Sequence, residues 1–296
     1  MNHRVFPVLL FLGLMPASGQ QVPPADLASV QAAAEKGEAN GQFELAKALL
    51  QGTGLKKDVR KAFELMKAAA GQGHADAMGG VGYFFSKGIA VKKDEREAVI
   101  WFRKGADKGS PKAMLNLAKM LLANKGVDAG NPDRLAEEGL QWMAKAADAG
   151  LPEALLAYGS VFYFGDHGMA RDEAKAATYL KPAADSGLPE AQNMIGVITE
   201  TGNGLPMDAD ASKEWFRKAA MAGNAKAQAN LGRVLGPLNE DRATRIESIA
   251  WLIVASGKGE VTASKLIEES LAGFRPGEFD DAKQRADELR KVAGGK

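Results

Sequence analysis

The chain contains no cysteine. Disulfides and cysteine-ligated metals are therefore excluded, and 296 residues are enough to bury a core without cross-links, so the redox compartment stays open. Histidine is scarce. Beyond His3 there are only His74 and His167, with no HxxxH or HExxH spacing, so no zinc site or other metal is expected. Neither sign of charge is in excess: 38 Lys and Arg face 37 Asp and Glu. That balance gives no reason to expect nucleic acid or an acidic lipid surface as the main partner. Aromatic residues make up only 7% of the chain, and beyond the first twenty positions no apolar run is long enough to cross a bilayer.

The N-terminus has the three-part plan of a secretory signal peptide. MNHR is followed by the apolar run VFPVLLFLGLM (5–15) and then by PASGQ, with Ala17 and Gly19 at the minus-three and minus-one places of a cut after Gly19. Eleven apolar residues are too few for a membrane anchor, which needs about 20. With no cysteine near the cut, no lipid anchor is indicated. Residues 1–19 are thus expected to be a leader, and the protein to be exported.

What is abundant is glycine, 34 residues, and its placement is periodic. Gly37, Gly73, Gly109, Gly150, Gly187, Gly223 and Gly259 follow one another at intervals of 36, 36, 41, 37, 36 and 36 residues. Such self-similarity signals a repeat architecture. Eight residues before each closing glycine stand Leu65, Trp101, Trp142, Tyr179, Trp215 and Trp251, a column holding all four tryptophans of the chain. Small residues lie three positions earlier, and a large apolar column follows at Met66, Phe102, Met143, Leu180, Phe216 and Leu252. Spacings of three and four make one face of a helix, here termed B. After each glycine a second stripe begins, including Leu45, Val81, Leu117, Tyr158, Ile195 and Leu231, followed by the small residues Ala46, Gly82, Ala118, Gly159, Gly196 and Gly232. This is helix A, and its small column permits a tight crossing. Glycine loops such as GIAVKKD (88–94) and GNGLPMD (202–208) join A to B, and Asp58, Asp94, Asp172 and Asp208 are placed to cap helix B.

Neither helix can bury its stripe alone, but stacked pairs can. The sequence predicts an all-α fold, a right-handed superhelical α/α solenoid of stacked antiparallel helix pairs. Six repeats span 37–259: 37–72, 73–108, 109–149, 150–186, 187–222 and a degenerate 223–258. An N-terminal capping helix within 20–36 and C-terminal capping helices in 260–296 complete the stack, the last from about Glu278 to Lys291.

The helix A signature, the glycine loop with its following Asp, and phrases such as WFRKGADKG (101–109), WMAKAADAG (142–150) and WFRKAAMAG (215–223) resemble Sel1-like repeats, relatives of the tetratricopeptide repeat. The resemblance covers residues 37–259. It implies an adaptor that binds other proteins and is frequently exported in bacteria, hence a periplasmic or secreted location in a Gram-negative cell. Some cysteine-rich members bind cell-wall-related ligands, but nothing from that branch carries over to a chain without cysteine.

A catalytic constellation is missing. His74 and His167 read as exposed turn residues, Ser160 in AYGSVFY lacks the second glycine of a nucleophile elbow, and Glu137 and Glu138 point in two directions from one helix. By analogy with tetratricopeptide repeats, helix A lines a concave surface. Positions six, ten, thirteen and fourteen after each glycine lie off its core stripe. Unlike the core columns they vary in chemistry, as residues free to encode a partner would. Tyr83, Leu115, Lys119, Leu122, Leu156, Tyr163 and Phe164 are the expected protein-binding residues of this groove. The competing expectation is a small-ligand or hydrolytic site at a repeat irregularity, in 124–133 or 236–245. No cofactor is expected on either reading.

Overall fold

The computed structural model describes residues 24–127, 131–270 and 273–294; the expected leader lies outside them. Every regular element among these residues is a helix. The A helices are α2 (Ala39–Gln51), α4 (Ala75–Lys87), α6 (Pro111–Leu122), α8 (Pro152–Phe164), α10 (Pro189–Thr201), α12 (Ala225–Leu235) and α14 (Val261–Ser270). The B helices are α1 (Pro24–Glu35), α3 (Val59–Gly71), α5 (Glu95–Asp107), α7 (Pro132–Asp148), α9 (Glu173–Asp185), α11 (Ala209–Met221), α13 (Arg242–Ser256) and α15 (Glu278–Val292). The chain divides into two compact units, Met1–Ala154 and Leu155–Lys296.

The loops end and start helices as their residues dictate. Gly88 takes φ +68°, and its N–H reaches the Phe84 carbonyl to close α4. Asp94 is extended and accepts from the N–H groups of Arg96 and Glu97, opening α5. Asp58 and Asp208 cap α3 and α11 in the same way, and Asp172 caps α9 by accepting from the Lys175 N–H. Replacing Asp94 by Ala is expected to cost about 1 kcal/mol, while Asn in its place retains most of that. Urea unfolding of both variants checks this.

In the first unit α4 packs on α5 and α6 on α7. A Cβ added at Gly82 would stand 2.7 Å from Cδ1 of Phe102, so α4 and α5 cross at a distance only glycine permits. Val81, Phe84, Met66 and Ala62 form one core; Phe102, Leu117, Leu121 and Ala98 form the next. In the second unit Gly196 meets Phe216 and Gly232 meets Leu252 by the same geometry, at 2.6 Å each. Its cores are built on Phe162, Leu180, Ile195 and Ile198, and on Phe216, Leu231, Trp251 and Leu289.

The third repeat absorbs its extra residues in a longer helix. Asn131 caps α7 by accepting from the Asp133 N–H at 2.9 Å, and α7 runs for 17 residues where α5 has 13. The sixth pair keeps the standard packing of α12 on α13 despite its irregular loop.

The tryptophan column is not uniformly core. Trp251 is 1% exposed, whereas Trp101, Trp142 and Trp215 are half-buried. Each of these three is covered by the lysine three residues on. Lys104, Lys145 and Lys218 place Nζ 4.3, 4.1 and 4.4 Å from their ring centroids. A lysine stem lying along an indole keeps the ammonium in water while covering apolar surface.

Candidate protein-interaction surface

Within each unit the residues expected to meet a partner are carried by A helices. On α4, Tyr83 is half-buried, and burial raises its hydroxyl pKa. On α6, Lys119 is half-buried, and burial lowers its ammonium pKa against the opposing pull of Glu153. Leu122 is half-buried against Gly139 of α7. On α8, Leu156 and Tyr163 are half-buried on the Phe162–Leu180 core, and Phe164 is 60% exposed. The rings of Tyr163 and Phe164 meet edge to face at 4.9 Å, with the Arg171 guanidinium 5.8 Å from the Tyr163 ring. Burial is also the main cause raising the Tyr163 pKa.

Leu115 does not belong to this surface. It is only 4% exposed. The sixth position after the closing glycine is buried at Gly79, Asn193 and Ala229 as well. The reason is the approach of successive A helices: a Cβ at Gly79 would stand 3.2 Å from the Ala113 Cβ, so α4 and α6 touch along this column. The tenth and thirteenth positions are half-buried at Tyr83, Lys119, Leu122 and Tyr163, and the fourteenth is exposed at Gln51, Lys87, Ala123, Phe164 and Thr201.

The same columns continue in the second unit with polar residues. Arg233, at a tenth position, donates to Glu200, at a thirteenth, over 2.6 Å. Asn230 donates through Nδ2 to Asn193 Oδ1 at 2.9 Å. Extending the column reading beyond the fourth repeat would have found Glu200 and Arg233; the Asn pair has no signal short of the helix packing that buries Asn193.

The remaining candidates have structural roles. His74 is a half-buried N-cap: its Nδ1 accepts from the Ala77 N–H at 3.2 Å and its ring stacks on Phe43 at 4.5 Å. His167 is exposed in a turn at φ +53°. Ser160 donates to the Leu156 carbonyl within its own helix at 2.7 Å. Glu138 accepts from Arg103 and, at 3.3 Å, from Trp142 Nε1, and the guanidinium holds its carboxyl below the usual range.

Residues 236–245 are organised around Arg245. Its guanidinium donates to Glu278 at 3.1 and 2.5 Å and to the carbonyl of Asn239, so Arg245 is held as part of the structure. In 124–133, Gly126 lies against the Glu95 backbone, and 128–130 fall outside the described residues. Among the described residues no three His, Asp or Glu side chains gather to hold a metal, and no helix is long and apolar enough to cross a membrane.

A family model described as Sel1 repeat matches residues 39–74, 75–110, 111–151, 152–188 and 189–224, leaving α12 and α13 unmatched. Among solved structures, the chain is similar to a Sel1 repeat protein from Oxalobacter formigenes. The two are 24% identical with TM-score 0.64, over 78% of this chain and 99% of that one. A putative Sel1 repeat protein from Klebsiella pneumoniae is 22% identical over 70% of this chain and 98% of its own, with TM-score 0.47. An immunity protein from Pseudomonas aeruginosa is 21% identical over 78% and 87%, with TM-score 0.45. No curated protein matches the chain.

Proposed function

The chain belongs to the Sel1 repeat family, and from that premise we propose that it is an exported, non-catalytic scaffold holding a peptide or helix of another protein on its A-helix face. The coarse part follows from the family, whose repeats mediate contacts between proteins. One observation carries the finer part. Core columns repeat in chemistry from pair to pair, while the outward columns of the A helices do not, and these place a 60% exposed phenylalanine beside Tyr163. A large aromatic left in water, resting on other apolar groups, is the usual centre of an interface. Tyr83, Lys119 and Leu122 are the proposed contacts of the first unit; Leu156, Tyr163 and Phe164 are those of the second.

Co-purification from the native envelope fraction tests this reading. Wild-type protein is expected to retain a partner that Phe164→Glu or Tyr83→Ser loses, with far-UV circular dichroism unchanged. Retention by both variants would remove the A-helix face from the proposal. Export is tested separately by N-terminal sequencing of the recovered protein, which is expected to begin at Gln20.

A further inference from the structure

The tenth position of the A helices carries a cation three times. Lys47 Nζ sits 2.8 Å from Glu44 and Arg233 Nη2 sits 2.6 Å from Glu200. Among the described residues, no hydrogen bond or ion pair holds the Lys119 ammonium, although it is half-buried where Lys47 and Arg233 have carboxylates at hand. Glu153 acts on it only through space. A cation drawn partly out of water without a counter-ion is unfavourable, and a carboxylate arriving beside it regains that interaction.

The surroundings are apolar, in a stretch of chain that is basic. On α6, Leu122 lies three residues after Lys119, on the same face, and Tyr83 holds the equivalent position on α4, which packs on α6. From residue 87 to 125 there are ten Lys and Arg against four Asp and Glu, while the rest of the chain has 28 against 33. Such a local excess steers anionic segments toward it.

We propose that Lys119 receives a side-chain carboxylate of an acidic peptide laid on the A-helix face of the first unit, with apolar residues of that peptide against Tyr83 and Leu122. A polyphosphate is the poorer complement. Nucleic acid needs a track of exposed cations, whereas here one sunken ammonium is flanked by apolar groups. The inference rests on the reading that this face receives a partner and adds the chemistry of that partner.

The test is selection of a random dodecapeptide display library on the full chain, followed by titration of the selected peptides. Wild type is expected to enrich one Asp or Glu flanked by apolar residues. Lys119→Met and Lys119→Gln are expected to weaken the selected peptide by about tenfold or more, and the peptide's own Glu→Gln change to do the same. Lys47→Met, at the paired cation, is expected to leave binding unchanged. A selected motif without an acid that Tyr83→Ser abolishes would overturn this inference and keep the A-helix reading. An acidic motif indifferent to both Lys119 variants would also overturn it. The absence of any motif would overturn it too, leaving the A-helix reading to co-purification. Binding of a single-stranded 20-mer DNA that falls in Lys119→Met would overturn it in favour of nucleic acid.

Discussion

Replacing Trp251 by alanine is expected to destabilise the second unit by about 3–5 kcal/mol, the cost of emptying a large, fully enclosed site. Trp251 is 1% exposed and packs with Phe216, Leu231, Val254 and Leu289, so the space it leaves has little freedom to collapse. The same substitution at Trp101 or Trp215 removes a half-buried ring under a lysine and is expected to cost about 1–2 kcal/mol. Urea unfolding of the three variants measures the contrast. Equal losses at all three positions would sink the distinction between one core tryptophan and its half-exposed counterparts. Emission from Trp251 alone is expected at the shortest wavelength of the four.

A second large effect is expected at Glu278, the first residue of α15. Its side chain is 1% exposed and holds the Arg245 guanidinium, while its Oε2 also accepts from the Arg275 N–H at 2.9 Å. The pairing ties the C-terminal helix to α13 and to the loop before it. Removing one partner strands the other charge in a buried place, so Glu278→Ala is expected to undock α15 and lower the melting temperature markedly. The Arg245→Met, Glu278→Leu double variant is expected to recover part of the loss, because it leaves no buried charge without its partner, although the Asn239 carbonyl and the Arg275 N–H lose theirs.

The pH dependence has a definite sign. The guanidinium and the backbone N–H lower the Glu278 pKa from 4.5 to about 2 in the folded chain. A carboxyl with a depressed folded pKa contributes fully above its unfolded value and loses that contribution as pH falls toward the folded one. Wild type is therefore expected to lose stability in the C-terminal region from about pH 4.5 downward to about 2, and Glu278→Gln to flatten that part of the profile. Hydrogen exchange of α15 amides across this range reads it directly.

The repeat pattern carried most of the architecture. Glycine spacing, the two apolar stripes and the loop aspartates place α2 to α13, because each is a local consequence of helix period, capping or left-handed backbone. Three things were not legible. The exposure of the tryptophans depends on lysine stems three residues on, which sequence alone leaves in solvent. The burial of Leu115 depends on how closely neighbouring A helices approach, set by Gly79 against Ala113 rather than by the stripe of α6 itself. The Arg245–Glu278 pair joins residues 33 apart, and neither belongs to a repeated column. Of the proposed surface, the helices and positions were readable from the period; which positions reach solvent was decided by packing between pairs.

The lengthened α7 bears on how such a chain can change over generations. Its extra turn lies between one closing glycine and the next, and the phrase WMAKAADAG resumes at the usual distance before Gly150. Because each pair contacts mainly its neighbours, an inserted or deleted stretch stays a private matter of one repeat, and loss or duplication of a whole unit reseats the flanking pairs on equivalent surfaces. Chain length is then a heritable variable that selection can adjust in steps of a repeat, without redesigning the parts that remain.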